Sequence, residues 1–134
     1  MTTGMTADQL NQPEVLAEIR TLFDAYEHAL MTNDVDALLG FFWPDPALTR
    51  YGIADRQLGY GEMVAFRHAT PAPTFTRSLH NLRITSFGAD CAVAHVEFRR
   101  SDSTLLGMQT QTWVRLPQGW KIVSAHVSMV DLPA

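Results

Sequence analysis

The stretch that most constrains this chain runs from Gln109 to Val130, QTQTWVRLPQGWKIVSAHVSMV, where two runs of strand formers flank Pro117-Gln118-Gly119. β-Branched and aromatic residues on either side of a turn-forming break predict a β-hairpin with long arms. On the first arm Gln109, Gln111 and Trp113 share a face. On the second, uninterrupted alternation puts Trp120, Ile122, Ser124, His126 and Ser128 on one face, with Val123, Ala125, Val127 and Met129 on the other. A face mixing aromatics, amides, a histidine and hydroxyls suits a polar pocket with hydrophobic walls. It equally suits an edge face half open to water.

Upstream of the hairpin the pattern is first helical. Val15, Ile19, Leu22, Phe23, Tyr26 and Leu30 recur with a 3.6-residue period behind Pro13, with Asn11 as the expected cap. Tyr26 falls in the middle of that apolar stripe, so its hydroxyl must bond a core carbonyl or line a cavity. Asn33 is expected to end this helix and cap a second, whose buried side is Val35, Leu38, Leu39, Phe41 and Phe42. After Trp43-Pro44-Asp45-Pro46 a short strand, Leu48 to Gly52, places Arg50 on the same face as Leu48. Such an arginine either snorkels to solvent or points into a cavity. A partner strand is expected near Gln57-Leu58, and a third helix over Gly61 to Ala69. Two long strands follow, Phe75 to Phe87 and Cys91 to Arg100, the second with Ala92, Ala94, Val96 and Phe98 on one face.

Early helices followed by consecutive long strands predict an α+β cone, a curved antiparallel sheet wrapped around the N-terminal helices. Residues 1–11 carry no pattern and are read as a flexible arm, and 12–134 as a single domain. With 134 residues, 46% hydrophobic and 18% charged, the chain is long and apolar enough to bury a sizeable core. A single cysteine, Cys91, excludes an internal disulfide, and its apolar neighbours point to an inert thiol. No apolar run is long enough for a membrane span, and no signal-peptide pattern opens the chain, so a cytoplasmic location is expected.

Charge is unevenly spread. Eight acidic side chains precede residue 46 against one base, whereas eight of the nine bases from Arg50 onward are arginine. Guanidinium forks match planar anions such as carboxylates. No basic run interleaved with aromatics suggests nucleic acid. The five histidines show neither H-x-x-x-H spacing nor a Cys/His cluster, so no metal or cofactor is expected, and no nucleophile or phosphate-loop motif is present. What is left is a tyrosine in a helix stripe, an arginine after the second helix, and the amide–histidine–hydroxyl face.

The stretches NQPEVLAEIRTLFDAYEHAL at 11–30, RYG at 50–52, FR at 66–67, VEFRR at 96–100 and QTQTWVRLPQGWKIVSAHVSM at 109–129 carry a resemblance. The chain resembles the nuclear transport factor 2-like (SnoaL-like) superfamily, and within it the AtzH-like, or HpxZ-like, small proteins. The resemblance implies a cone with a pocket, and a homodimer. It also implies a small anionic ureido-carboxylate as partner, converted in the manner of 1,3-dicarboxyurea to allophanate, in a setting beside amidases. Tyr26 and Arg50 match the family's tyrosine and arginine and are the expected catalytic pair. Gln111, His126, Ser128, Trp113 and Arg67 are expected to hold substrate. A non-catalytic binder, or an accessory of an amidase in ureide breakdown, is the competing reading. The Val123–Met129 stripe, taken as an apolar outer face, is the residue-level argument for a dimer joined through the sheet.

Overall fold

The computed structural model describes residues 4–132. Helix α1 (Pro13–Thr32) starts with Pro13, whose missing N–H is no loss in a first turn. Its buried residues, Val15, Ile19, Phe23, Tyr26 and Ala29, are three or four apart and form one stripe. Asn33 ends the helix in a left-handed conformation at φ 53°. Helix α2 (Val35–Gly40) is capped by Asp34, whose carboxylate accepts from the Ala37 N–H at 3.2 Å. The expected caps are thus shifted: Asp34, not Asn33, caps α2. Asn11 does not cap α1; its side-chain oxygen accepts from the Ser86 N–H at 3.0 Å.

The strands are β1 (Thr49–Tyr51), β2 (Arg56–Leu58), β3 (Arg77–Ser86), β4 (Cys91–Arg100), β5 (Leu106–Leu116) and β6 (Gly119–Val130), with α3 (Tyr60–Ala69) between β2 and β3. They make one six-stranded sheet in the order β2-β1-β6-β5-β4-β3. β3 to β6 form an antiparallel meander, but β1 joins the edge of β6 in parallel, Arg50 opposite Ala125, so the sheet is not wholly antiparallel as expected. Before α1, Leu10 bridges Phe87 and the Asn11 N–H bonds the Ser86 carbonyl at 3.0 Å, contacts that tie down part of the arm read as flexible. No helix among the described residues is long and apolar enough to cross a membrane.

The core lies between the helices and the inner face of the sheet, where Trp113, Phe23, Phe42, Ile19, Leu38, Leu48, Met63 and Ile122 are almost fully buried. One irregularity decides which residues join it. Trp113 pairs with Ile122 but Thr112 pairs with Ser124, so Val123 has no partner. This β-bulge reverses the parity of β6. Trp120 and Ile122 face the helices before it; Ala125 and Val127 face them after it. His126 and Ser128 therefore stand on the outer face, opposite Thr110 and Met108, and the edge of Tyr51 meets the His126 ring at 5.8 Å between centroids. The apolar outer stripe Val123–Met129 does not exist, and the dimer argument built on it falls.

Candidate functional site

A cavity of about 390 Å³ lies between α1, α3 and the inner face of the sheet, with the 70–75 connection as one wall. Its lining includes Tyr26, Arg50, Asp55, Phe66, Arg67, Arg77, Phe98, Arg100, Gln109 and Val127. Four guanidinium groups thus converge on a small volume that is otherwise largely aromatic and aliphatic.

Each arrives for a local reason. Arg50 alternates with the exposed Tyr51 on β1, so it points inward beside Leu48 and is only 8% exposed. Its Nη1 donates to Asp55 Oδ1 at 3.0 Å and to Gln57 Oε1 at 2.8 Å, and Gln57 Nε2 in turn donates to Asp55 Oδ1 at 2.9 Å. Asp55 reaches this position over Gly52, where a Cβ would overlap the Asp55 carboxylate. Arg67 lies one turn beyond the buried Met63 on α3, four residues on, and so shares its inward face. Phe66, its neighbour, has the Arg50 guanidinium 4.9 Å and the Arg67 guanidinium 5.4 Å from its ring centroid. Both distances are within cation–π range.

Tyr26 and Arg67 meet. Arg67 Nη2 donates to the Tyr26 hydroxyl at 3.3 Å, while the Tyr26 ring packs edge-on against Phe41 and Phe42. Because the phenol oxygen accepts this bond, its own proton is available to a ligand. Burial pushes the Arg67 pKa below its usual value, an effect that nearby Tyr26 partly offsets and nearby Arg50 adds to. Its Nε is buried with no hydrogen-bond partner among the described residues.

Arg77 and Arg100 complete the wall. Arg77 is held by Glu27 through two bonds of 2.7 and 2.5 Å and lies 4.5 Å from the Phe98 ring centroid. Arg100 stacks on Phe75 at 3.6 Å and bonds Asp102, whose carboxyl those bonds hold below its usual pKa. Three of the four cations therefore face a carboxylate. Arg67 has only the phenol, and the cavity keeps a positive excess suited to an anion.

Of the expected residues, Tyr26, Arg50 and Arg67 line this cavity. Gln111 and Trp113 do not. They lie in the core, 1% and 0% exposed, where the indole Nε1 donates to Gln111 Oε1 at 3.2 Å. His126 and Ser128 are on the opposite face of the sheet, for the bulge reason above. Sequence reasoning passes over Arg77, Arg100 and Asp55, and it places Gln109 on the pocket-like hairpin face without assigning it to substrate. Arg77 shares a strand face with Phe75 and Leu79, and Arg100 with Phe98, the same arginine-on-an-apolar-face signal that singled out Arg50. Asp55 sits in a turn with no periodic signal. Among the described residues no group of three or more His, Cys, Asp and Glu is placed to hold a metal ion.

The AtzH-like family matches residues 8–133 of the chain. The chain belongs to that family. This AtzH-like protein is 47% identical to a protein of unknown function from Pectobacterium atrosepticum, with a TM-score of 0.92 over 96% of this chain and 100% of that one. It is 44% identical to a cystatin-like fold protein from Burkholderia xenovorans, with a TM-score of 0.89 over 97% and 100% of the two chains. A nuclear transport factor 2-like superfamily protein from Salmonella enterica, 22% identical with a TM-score of 0.71 over 90% and 94%, shares the fold. No curated protein matches the chain. The AtzH-like chain thus has the nuclear transport factor 2-like, cystatin-like architecture that its sequence resembles.

Proposed function

We propose that the cavity takes a small anionic ureido-carboxylate of the 1,3-dicarboxyurea type and removes one carboxyl group to leave allophanate. The observation that carries this reading is the Tyr26–Arg67 hydrogen bond inside a cavity that Arg50 also lines. In the reaction the carbamate N–C bond breaks, carbon dioxide leaves, and the electron pair stays on nitrogen. That nitrogen must take a proton. The Tyr26 phenol supplies it, and Arg67 holds the resulting phenolate until solvent returns the proton. Hydrolysis of the same bond makes the same demand on Tyr26. Only Nη1 of Arg50 is engaged, so the rest of its fork is left for a substrate carboxylate.

A second reading has its own observation. Arg50 is already bonded to Asp55 and Gln57, as a guanidinium with a structural role would be. On that reading the protein binds without turnover, or serves an amidase partner. The symmetric homodimer and the amidase link are proposals of the same family resemblance, checked by light scattering and by assaying an amidase with and without this protein.

Tyr26→Phe separates the readings. Turnover of 1,3-dicarboxyurea, followed by released carbon dioxide, is expected to fall by about a hundredfold or more. Stability is expected to change by only about 1 kcal/mol, the worth of one hydrogen bond. Full activity in Tyr26→Phe would remove the phenol from the chemistry. No turnover in the unaltered protein would favour the accessory reading.

A further inference from the structure

The cavity wall holds a second buried donor without a hydrogen-bond partner among the described residues. Gln109 is 4% exposed and lines the cavity, and its Nε2 bonds nothing among the described residues. A buried amide N–H₂ left empty is costly, and a ligand acceptor that the amide shifts slightly to meet removes that cost.

Which end of the amide faces the ligand is set by chemistry. Arg77 Nη2 donates to Gln109 Oε1 at 3.1 Å, and a guanidinium has no acceptor to offer the other end. Arg77 itself cannot turn away, because both Glu27 oxygens hold it, through Nε and Nη2. Behind it the Phe98 ring supports the guanidinium face, and Gly107 leaves room for that ring, since a Cβ there would collide with it. The amide is therefore locked with its oxygen toward Arg77 and its N–H₂ free.

We infer that Gln109 is a specificity residue that reads an acceptor-only end of the ligand, a carboxylate or carbonyl, with Arg77 and Glu27 as positioning residues. Arg67 Nε, the other orphaned donor, and the Tyr26 O–H make the same demand elsewhere in the cavity. The one carboxylate in the lining, Asp55, is already occupied by Arg50 and Gln57. A ligand presenting oxygens to both orphaned donors is satisfied. One presenting an amide or amine N–H to Gln109 sets donor against donor. The preferred ligand class is accordingly a short dicarboxylate over its own monoamide. The inference rests on the proposed anionic occupant, and there it discriminates 1,3-dicarboxyurea, with a carboxylate at each end, from allophanate, with one end amidic.

The test uses binding alone, so it stands apart from turnover. Glutarate has the five-atom chain of 1,3-dicarboxyurea without the labile carbamate, and glutaramate is its monoamide. Calorimetric titration of the full chain is expected to give glutarate about a tenfold advantage over glutaramate, one hydrogen bond exchanged for a clash. Gln109→Met keeps the shape without the donor and should erase that ratio with the melting temperature held. Gln109→Glu places an acceptor there, still able to accept from Arg77, and should reverse it. Equal affinity for the two probes in the unaltered protein, or an unchanged ratio in both variants, would overturn the inference, as would failure of both probes to bind. A preserved ratio in a protein that turns nothing over would leave the inference standing and remove only the proposed reaction.

Discussion

Arg67 is the residue on which the cavity depends most. Its guanidinium is buried, hydrogen-bonds the phenol of Tyr26 and no carboxylate, and sits beside a second guanidinium, Arg50, against one face-sharing ring, Phe66. A charge so placed costs stability in the empty protein and is offset when an anion enters. Arg67→Met is therefore expected to melt no lower than the unaltered protein, while losing the stabilisation that glutarate confers; differential scanning fluorimetry with and without glutarate reads both. Arg50 differs, because Asp55 and Gln57 already hold it. Arg50→Lys keeps the charge but cannot span both partners and a ligand, so glutarate affinity should fall by about tenfold with the fold intact, measured by titration. At Gly107 the demand is steric. Gly107→Ala drives a methyl into the Phe98 ring and is expected to cost about 1–3 kcal/mol in urea denaturation.

Among the elements, β6 is the one whose geometry decides the most. The unpaired Val123 changes which side chains the strand sends inward, and with them the chemistry of the inner wall: Ala125 and Val127 stand where His126 and Ser128 would otherwise be. Cysteine scanning tests this directly. In a Cys91→Ser background, His126→Cys is expected to react quickly with a thiol reagent in the native state, and Ala125→Cys slowly; the opposite order would refute the bulge. The α1–α2 corner carries a smaller term. Asp34 accepts a single backbone bond from Ala37, so Asp34→Ala should lower unfolding free energy by about 1 kcal/mol.

At the scale of the whole molecule, the uneven charge along the chain acquires a spatial meaning. The acidic first third supplies Glu27 on α1, and the arginine-rich remainder supplies the four cavity cations from β1, α3, β3 and β4. Helices and sheet are thus tied across the cavity by Arg77–Glu27 as well as by apolar packing, and two of the three carboxylates that moderate the cations come from turns, Asp55 and Asp102. The residual positive charge sits at Arg67, within reach of the phenol, where an anion is drawn to the group that would act on it.

The periodicity of the chain by itself determined the α+β cone, because apolar spacing of 3.6 and 2 marks which faces must leave water. It located α1 with Tyr26 on the buried stripe, the inward alternation of β4, the turn at Pro117 to Gly119, and Arg50 beside Leu48. It also contained Arg77 and Arg100 on apolar faces, a signal applied to Arg50 alone. Other features were beyond any local pattern. The bulge at Val123 exists only in the pairing of β6 with β5, so alternation carried His126 and Ser128 to the wrong face. Gln109 and Gln111 share one strand face in sequence, yet one lines the cavity and the other is bonded to Trp113 in the core, because depth along the sheet depends on what α1 and α3 cover. The parallel docking of β1 on β6, which aims Arg50, and the turn that brings Asp55 to it join residues with no common period. Sequence sets which face a side chain prefers; the packing of distant elements sets what it meets there.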